Sequence, residues 1–284
     1  MSEMTSQRPM DGMPLWINQI LAVMRLEIRK TLLGRRAFLL YALAGITPAI
    51  LGLMVVVSGA FGLPPGLEEF GATMMFAAVV FRMILGFALY LGCVWIFMNL
   101  FRGEMLDRSL HYYFMVPIRR DVLVAGKFIS GWTTSTVLFG VTTLASFLLL
   151  NLAFGIDQLQ RHLFDGPGLM QLFWYLVIVA LGCLGYGTVF LLIGLFFRNP
   201  IVPAVMFWGW EALSFLLPPV LKKLTVIHYL ESLYPVEVSQ GALAILTEGT
   251  PAWITVPGLL IFCAIVLGIA AQRIRRMEVQ YGSD

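Results

Sequence analysis

Apolar residues run along this chain in long, nearly unbroken stretches, without the alternation of half-buried strands. A bilayer core takes about 20 mostly apolar residues per helix. Six stretches meet that length: Ala37–Phe61, Ala72–Phe101, Val122–Phe154, Leu169–Phe197, Ile201–Leu221 and Trp253–Ala271. The pattern predicts an all-α, polytopic integral membrane protein with six transmembrane helices. The stretch before the first span, Leu15–Arg36, reads differently. Ile17, Leu21, Met24 and Ile28 fall on one helical stripe, and Asn18, Arg25, Arg29 and Arg36 line a neighbouring one. A basic, amphipathic segment leading into a span predicts an interfacial helix on the cytoplasmic surface, with Lys30 and Arg35 adding to its charge. The chain thus divides into a cytoplasmic N-terminal part, 1–36, and a membrane domain, 37–284. Within the latter, two connectors stand out: a loop at 102–121 and a polar segment at 222–251. The second is expected to form short helices that dip back against the outer membrane face.

Composition narrows the class. Of 284 residues, 59% are hydrophobic and 12% charged, against about half and about a quarter in a soluble domain. A soluble globular enzyme is excluded on that ground, and so are disordered and disulfide-scaffold classes. The net charge of +3 is modest, so placement carries more information than size. With the N-terminus inside, the inner segments hold 15 of the 19 basic residues. The outside keeps Arg161, Lys222 and Lys223, with Arg82 in the outer half of the second span. That asymmetry predicts a multi-pass protein of the cell (cytoplasmic or inner) membrane with both termini cytoplasmic. No secretory signal is read at the N-terminus, because the first long apolar run starts only near Ala37.

Candidate chemistry is sparse. Cys93, Cys183 and Cys263 each sit in an apolar run, far apart in sequence, and read as small buried apolar residues. The one Gly-Lys pair, Gly126-Lys127, is followed by Phe128 and preceded by Asp121 where a phosphate-binding loop needs its first glycine. ATP hydrolysis by this chain alone is therefore not expected. His111, His162 and His228 lie in different segments without zinc-site spacing, and Glu68-Glu69 reads as the solvated part of a short outer loop. No catalytic constellation, metal site, cofactor or nucleic-acid partner is expected. Charges within the bilayer cost about 2.5–3.5 kcal/mol each and are candidate sites for that reason. Two occur: Arg82, with room to snorkel outward, and Glu211, set mid-segment in Phe207-Trp208-Gly209-Trp210-Glu211. A structural role for them, as a pair or through hydrogen bonds, outweighs contact with a substrate. Thr133, Thr136, Gly140 and Thr143 on the third span, and Gly182, Gly185 and Gly187 on the fourth, read as small residues that let helices approach.

The loop Gly103–Arg120 is too short for a domain and too regular for a linker. Leu106, Leu110, Tyr113 and Phe114 recur at helical spacing, with Glu104, Asp107 and Arg108 on the other side, and Pro117 stops the helix. A short charged and aromatic helix at a membrane surface is a shape that a soluble partner can grip. Glu104, Asp107, Arg108 and Leu110, then Pro117-Ile118-Arg119-Arg120, then Lys127 entering the third span, resemble the loop pattern of permease subunits of ABC transporters of the ABC-2 type. The resemblance extends to the amphipathic helix, the six spans and the long outer segment before the last. Arg108-Ser109 departs from it, since Gly-Thr often stands there in the family.

The resemblance implies a permease dimer, formed with a second copy or a close paralogue, with one ATP-binding subunit beneath each half. ATP and magnesium would sit on that partner, and Glu104–Leu110 would act as the coupling helix in its cleft. Expected function is therefore the translocation path of an ATP-driven transporter, an exporter by family likeness. Two other classes compete: an ion-coupled carrier or channel using Glu211, and a membrane enzyme acting on lipids, disfavoured by the missing acidic or histidine clusters. The aromatic residues Phe207, Trp208, Trp210 and Phe215 lean towards a hydrophobic or amphipathic cargo.

Overall fold

The structure is a computed structural model that describes residues 13–34, 37–62, 67–106, 120–197, 199–213, 221, 224–236 and 251–275. Among the described residues every regular element is helical. In order they are α1 (Met13–Leu33), α2 (Ala37–Phe61), α3 (Leu67–Val79), a π-helical stretch Val80–Leu89, and α4 (Tyr90–Leu106). Then come α5 (Arg120–Ala153), α6 (Ile156–Gln160) with a π turn Arg161–Asp165, α7 (Gly168–Phe196), α8 (Ile201–Ala212), α9 (Val226–Glu231) and α10 (Ala252–Arg275). Helix is what the composition demands: in hydrocarbon each backbone N–H and C=O must find its partner within the segment.

Among the described residues, five stretches are long and apolar enough to cross a membrane: Ala37–Phe61, Gly71–Phe101, Val122–Ala153, Gly168–Phe196 and Ala252–Arg275. Each begins within one residue of its sequence expectation. The second enters through a kink at Gly71, whose φ of 66° a side chain would resist. It then runs through α3, the π-helical stretch and α4 and continues past Phe101 to Leu106, so Glu104 prolongs a span and does not open a separate helix.

Of the sixth expected span, Ile201–Leu221, Ile201–Ala212 is helical, about 18 Å at 1.5 Å per residue, and Leu221 is helical as well. The chain turns at Leu213, and 214–220 lie outside the described residues. Of the expected outer segment, Val226–Glu231 is a short helix and 237–250 lie outside the described residues.

Helix α7 is the hub, packed against α4, α5 and α10, with Tyr175, Tyr186 and Phe190 buried along it. Its glycines allow that crowding. A Cβ on Gly187 would run into the Phe97 ring of α4, and one on Gly185 would lie 2.7 Å from Val226. The third-span stripe lies elsewhere than the sequence placed it. Of Thr133, Thr136, Gly140 and Thr143 only Thr143 is buried, and the close face of α5 instead carries Lys127, Gly131, Ser135, Phe139 and Thr142. Helices α2 and α10 stay peripheral, showing Phe38, Leu53, Val56, Ile261 and Ile265 outward. Apolar exposure on that scale fits a lipid-facing surface.

Candidate functional site

The first candidate lies where α1, α4 and α5 meet, beside the loop that the sequence singled out. Lys127, on the second turn of α5, is sealed from solvent. Its Nζ donates to Glu27 Oε1 at 2.6 Å and to the Leu100 carbonyl at 2.9 Å, and stands 5.3 Å from the centre of the Phe101 ring. Relative exposures of 0% and 3% bury both partners. Gly126 makes the approach possible, because a Cβ there would press on Val23 at 3.2 Å. The Gly126-Lys127 pair thus fastens α1 to both helices that flank the loop.

Glu27 escaped the sequence reading, although a signal was present. It is the one carboxylate between Asp11 and Glu68, and it falls on the helix face away from Arg25 and Arg29. The expected apolar stripe of α1 is not its buried face. Val23 and Glu27 are buried against α5, whereas Ile17 and Leu21 are half exposed. Arg25, Arg29 and Lys30 are exposed. The helix therefore presents a protein-facing side, an apolar outer side and a cationic side. Beside the pair, a cavity of about 60 Å³ is lined by Glu27, Lys30, Thr31, Leu40, Trp95 and Asn99, roomy and polar enough for water.

Of the other residues singled out in the sequence, Asp107, Arg108, Leu110, Tyr113, Pro117 and Arg119 lie outside the described residues, as do Arg35 and Arg36. Glu104 and Arg120 are placed as backbone only: Glu104 in the last turn of α4, Arg120 as the first residue of α5.

The second candidate is Glu211, at the end of α8. It is buried, and it does not pair with Arg82, which is exposed. Its Oε1 accepts from the Val226 N–H at 2.7 Å, and its Oε2 from the Ile227 N–H at 2.9 Å and from the Tyr186 hydroxyl at 3.1 Å. Val226 and Ile227 open α9, so the carboxylate caps a helix N-terminus whose N–H groups have no partner within that helix. The depth is unusual. Val226 packs at Gly185, three residues from the midpoint of α7. Helices α8 and α9 thus meet near the middle of the bundle, and Glu211 joins them. Both elements are tied down nearby, Tyr90 donating to the Ala204 carbonyl at 2.8 Å and Ser232 to Thr255 at 2.9 Å.

The three cysteines are buried, and Cys93 and Cys183 meet side by side between α4 and α7. No group of three or more potential metal ligands occurs among the described residues.

Five apolar helices among the described residues, one of them a buried hub, define a multi-pass helical membrane protein. No protein-family model matches the chain, and a search of curated proteins finds no similar sequence. The functional reading therefore rests on the residues themselves.

Proposed function

We propose that this chain is the membrane-spanning permease subunit of an ATP-driven transporter of the ABC-2 type, working as an exporter. It would form the translocation path as a dimer, with a second copy or close paralogue, and take its power from two ATP-binding subunits that carry the ATP and magnesium. On this reading the chain lies in the cell membrane with both termini cytoplasmic. A sixth crossing is made by α8 together with the segment that follows it, and α1 lies at the cytoplasmic interface, with its apolar outer side towards lipid and its cationic side towards headgroups or the motor.

The observation that carries the proposal is the fastening of α1 to α4 and α5 through Lys127 and Glu27. A coupling loop is useful only if its displacement reaches the spans as movement of a body. Here the two helices flanking the loop and the surface helix beside it are joined by a desolvated ion pair, so a pull on 107–119 moves three helices together. The alternative, an ion-coupled carrier working through Glu211, is disfavoured by that carboxylate's three donors, which leave it a structural task.

Co-expression with a candidate ATP-binding subunit tests the reading. Expected are co-purification of an ATP-hydrolysing complex and loss of the complex when residues 104–120 are replaced by a Gly-Ser linker. An ATPase that binds the linker variant equally well would refute the loop's role.

A further inference from the structure

Two registers that agree set Arg82 near the middle of its span. It is four residues before Gly86, the midpoint of the span Gly71–Phe101. Leu85, three residues on, packs at Gly182, the midpoint of α7. With a hydrocarbon half-thickness of about 15 Å, some 10 Å of apolar medium separate its Cα from the nearer headgroups. Its three-methylene stem covers only part of that distance.

The surroundings show what completes it. The helix is π-helical over Val80–Leu89, so residues five apart, Arg82 and Phe87 among them, fall on one side of it. Trp208 of α8 reaches the same stretch, its Nε1 donating to the Gly86 carbonyl at 3.3 Å. All three side chains are exposed, with Phe87 at 44% and Trp208 at 51%. Among the described residues no carboxylate pairs with Arg82, and the nearby Glu211 is already occupied by α9 and Tyr186.

We propose that Arg82, Phe87 and Trp208 form a binding face for an anionic amphiphile: a phosphate or carboxylate head drawn to the guanidinium, with its acyl body lying along the two rings. A guanidinium in low dielectric without a carboxylate is completed by an anion with fork-shaped geometry. Only an anion carried on an apolar body reaches this depth. That such an amphiphile is also the transported molecule rests on the ABC-2 reading; its binding does not, and the following test measures binding alone.

The purified full chain in neutral detergent is titrated with brominated phosphatidylglycerol, brominated phosphatidylcholine and brominated oleate, following tryptophan quenching. Expected is binding of the two anionic probes about tenfold tighter than of the zwitterionic one, the size of one charge-assisted contact. Arg82→Gln removes the preference, Arg82→Lys keeps part of it, and Trp208→Phe reduces the quenching amplitude. Gel filtration shows whether each variant keeps its fold. Equal affinity for charged and zwitterionic lipid, or an undiminished preference in Arg82→Gln, overturns the proposal. So does full displacement of the lipid by millimolar inorganic phosphate, which would mark a free-anion site. If Arg82→Gln instead changes the oligomeric state and leaves the lipid preference intact, the residue pairs with another subunit and the proposal fails.

Discussion

Replacing Lys127 by methionine withdraws the cation from a site where both partners are buried, leaving the Glu27 carboxyl enclosed without its partner. Removing one member of a buried pair costs about 3–5 kcal/mol, because the survivor is left desolvated without compensation. Glu27→Gln leaves the ammonium enclosed in the same way, its Leu100 carbonyl contact retained. Replacing both, as Glu27→Leu with Lys127→Met, removes the two charges together and fills similar volume, so its cost is expected to be small. The quantity at stake is the docking of α1. Its exposed Arg25, Arg29 and Lys30 offer trypsin sites that are protected while the helix is docked and helical. Cleavage follows the open population when opening and closing are fast, so a 3 kcal/mol loss raises the rate by roughly two orders of magnitude. Each single variant should be nicked at 25–30 at least that much faster, and the double variant near the native rate. Singles that resist trypsin like the native chain, or a double as labile as the singles, would refute the view that this pair holds α1 down.

Three further outcomes follow from the geometry. Glu211→Ala strands two N–H groups of α9 in an apolar interior, at about 1–3 kcal/mol each. Glu211→Gln keeps an acceptor and should lose less, so thermal unfolding in detergent should rank native above Gln above Ala, and an Ala variant of native stability would sink the capping role. Gly187→Ala drives a methyl into the Phe97 ring and should cost about 1–3 kcal/mol by overpacking, recovered in part by Phe97→Leu; no loss in Gly187→Ala would show that α4 and α7 do not meet this closely. Replacing Glu104 or Arg120 by alanine should separate ATP hydrolysis from transport while membrane insertion stays normal, and variants that transport at full rate would refute the coupling assignment.

Where the chain crosses hydrocarbon, the sequence was easy to read, because length and apolarity are properties of single segments. Ala37–Phe61 and the start of Val122–Ala153 came out at the same residues in both readings. What escaped depends on how segments meet. Glu27 looked like one charge in a basic stretch, and only the crossing of α1 over Gly126 turns it inward. The threonine stripe on α5 was chosen by residue type, whereas burial was decided by which face met α4 and α7. The expected span Ile201–Leu221 was read from apolarity alone. Apolarity cannot report that Glu211 accepts from the start of α9, a partner 15 residues further along the chain.

Placed together, the two candidate sites divide the bundle into a stiff end and a jointed middle. At the α1 end, Phe97 lies between Gly131 of α5 and Gly187 of α7, so the body locked by Lys127 touches the hub without slack. One residue along α7, Tyr186 donates to Glu211, and Glu211 is where α8 and α9 join. A close-packed interior is displaced between discrete arrangements and does not deform gradually. Movement of α4 and α5 against α7 therefore reaches the α8–α9 joint, which Glu211 bridges by hydrogen bonds to Val226 and Ile227. Trp208 and the exposed face that carries Arg82 lie next to the same joint, so an amphiphile held there would lie beside the element that moves.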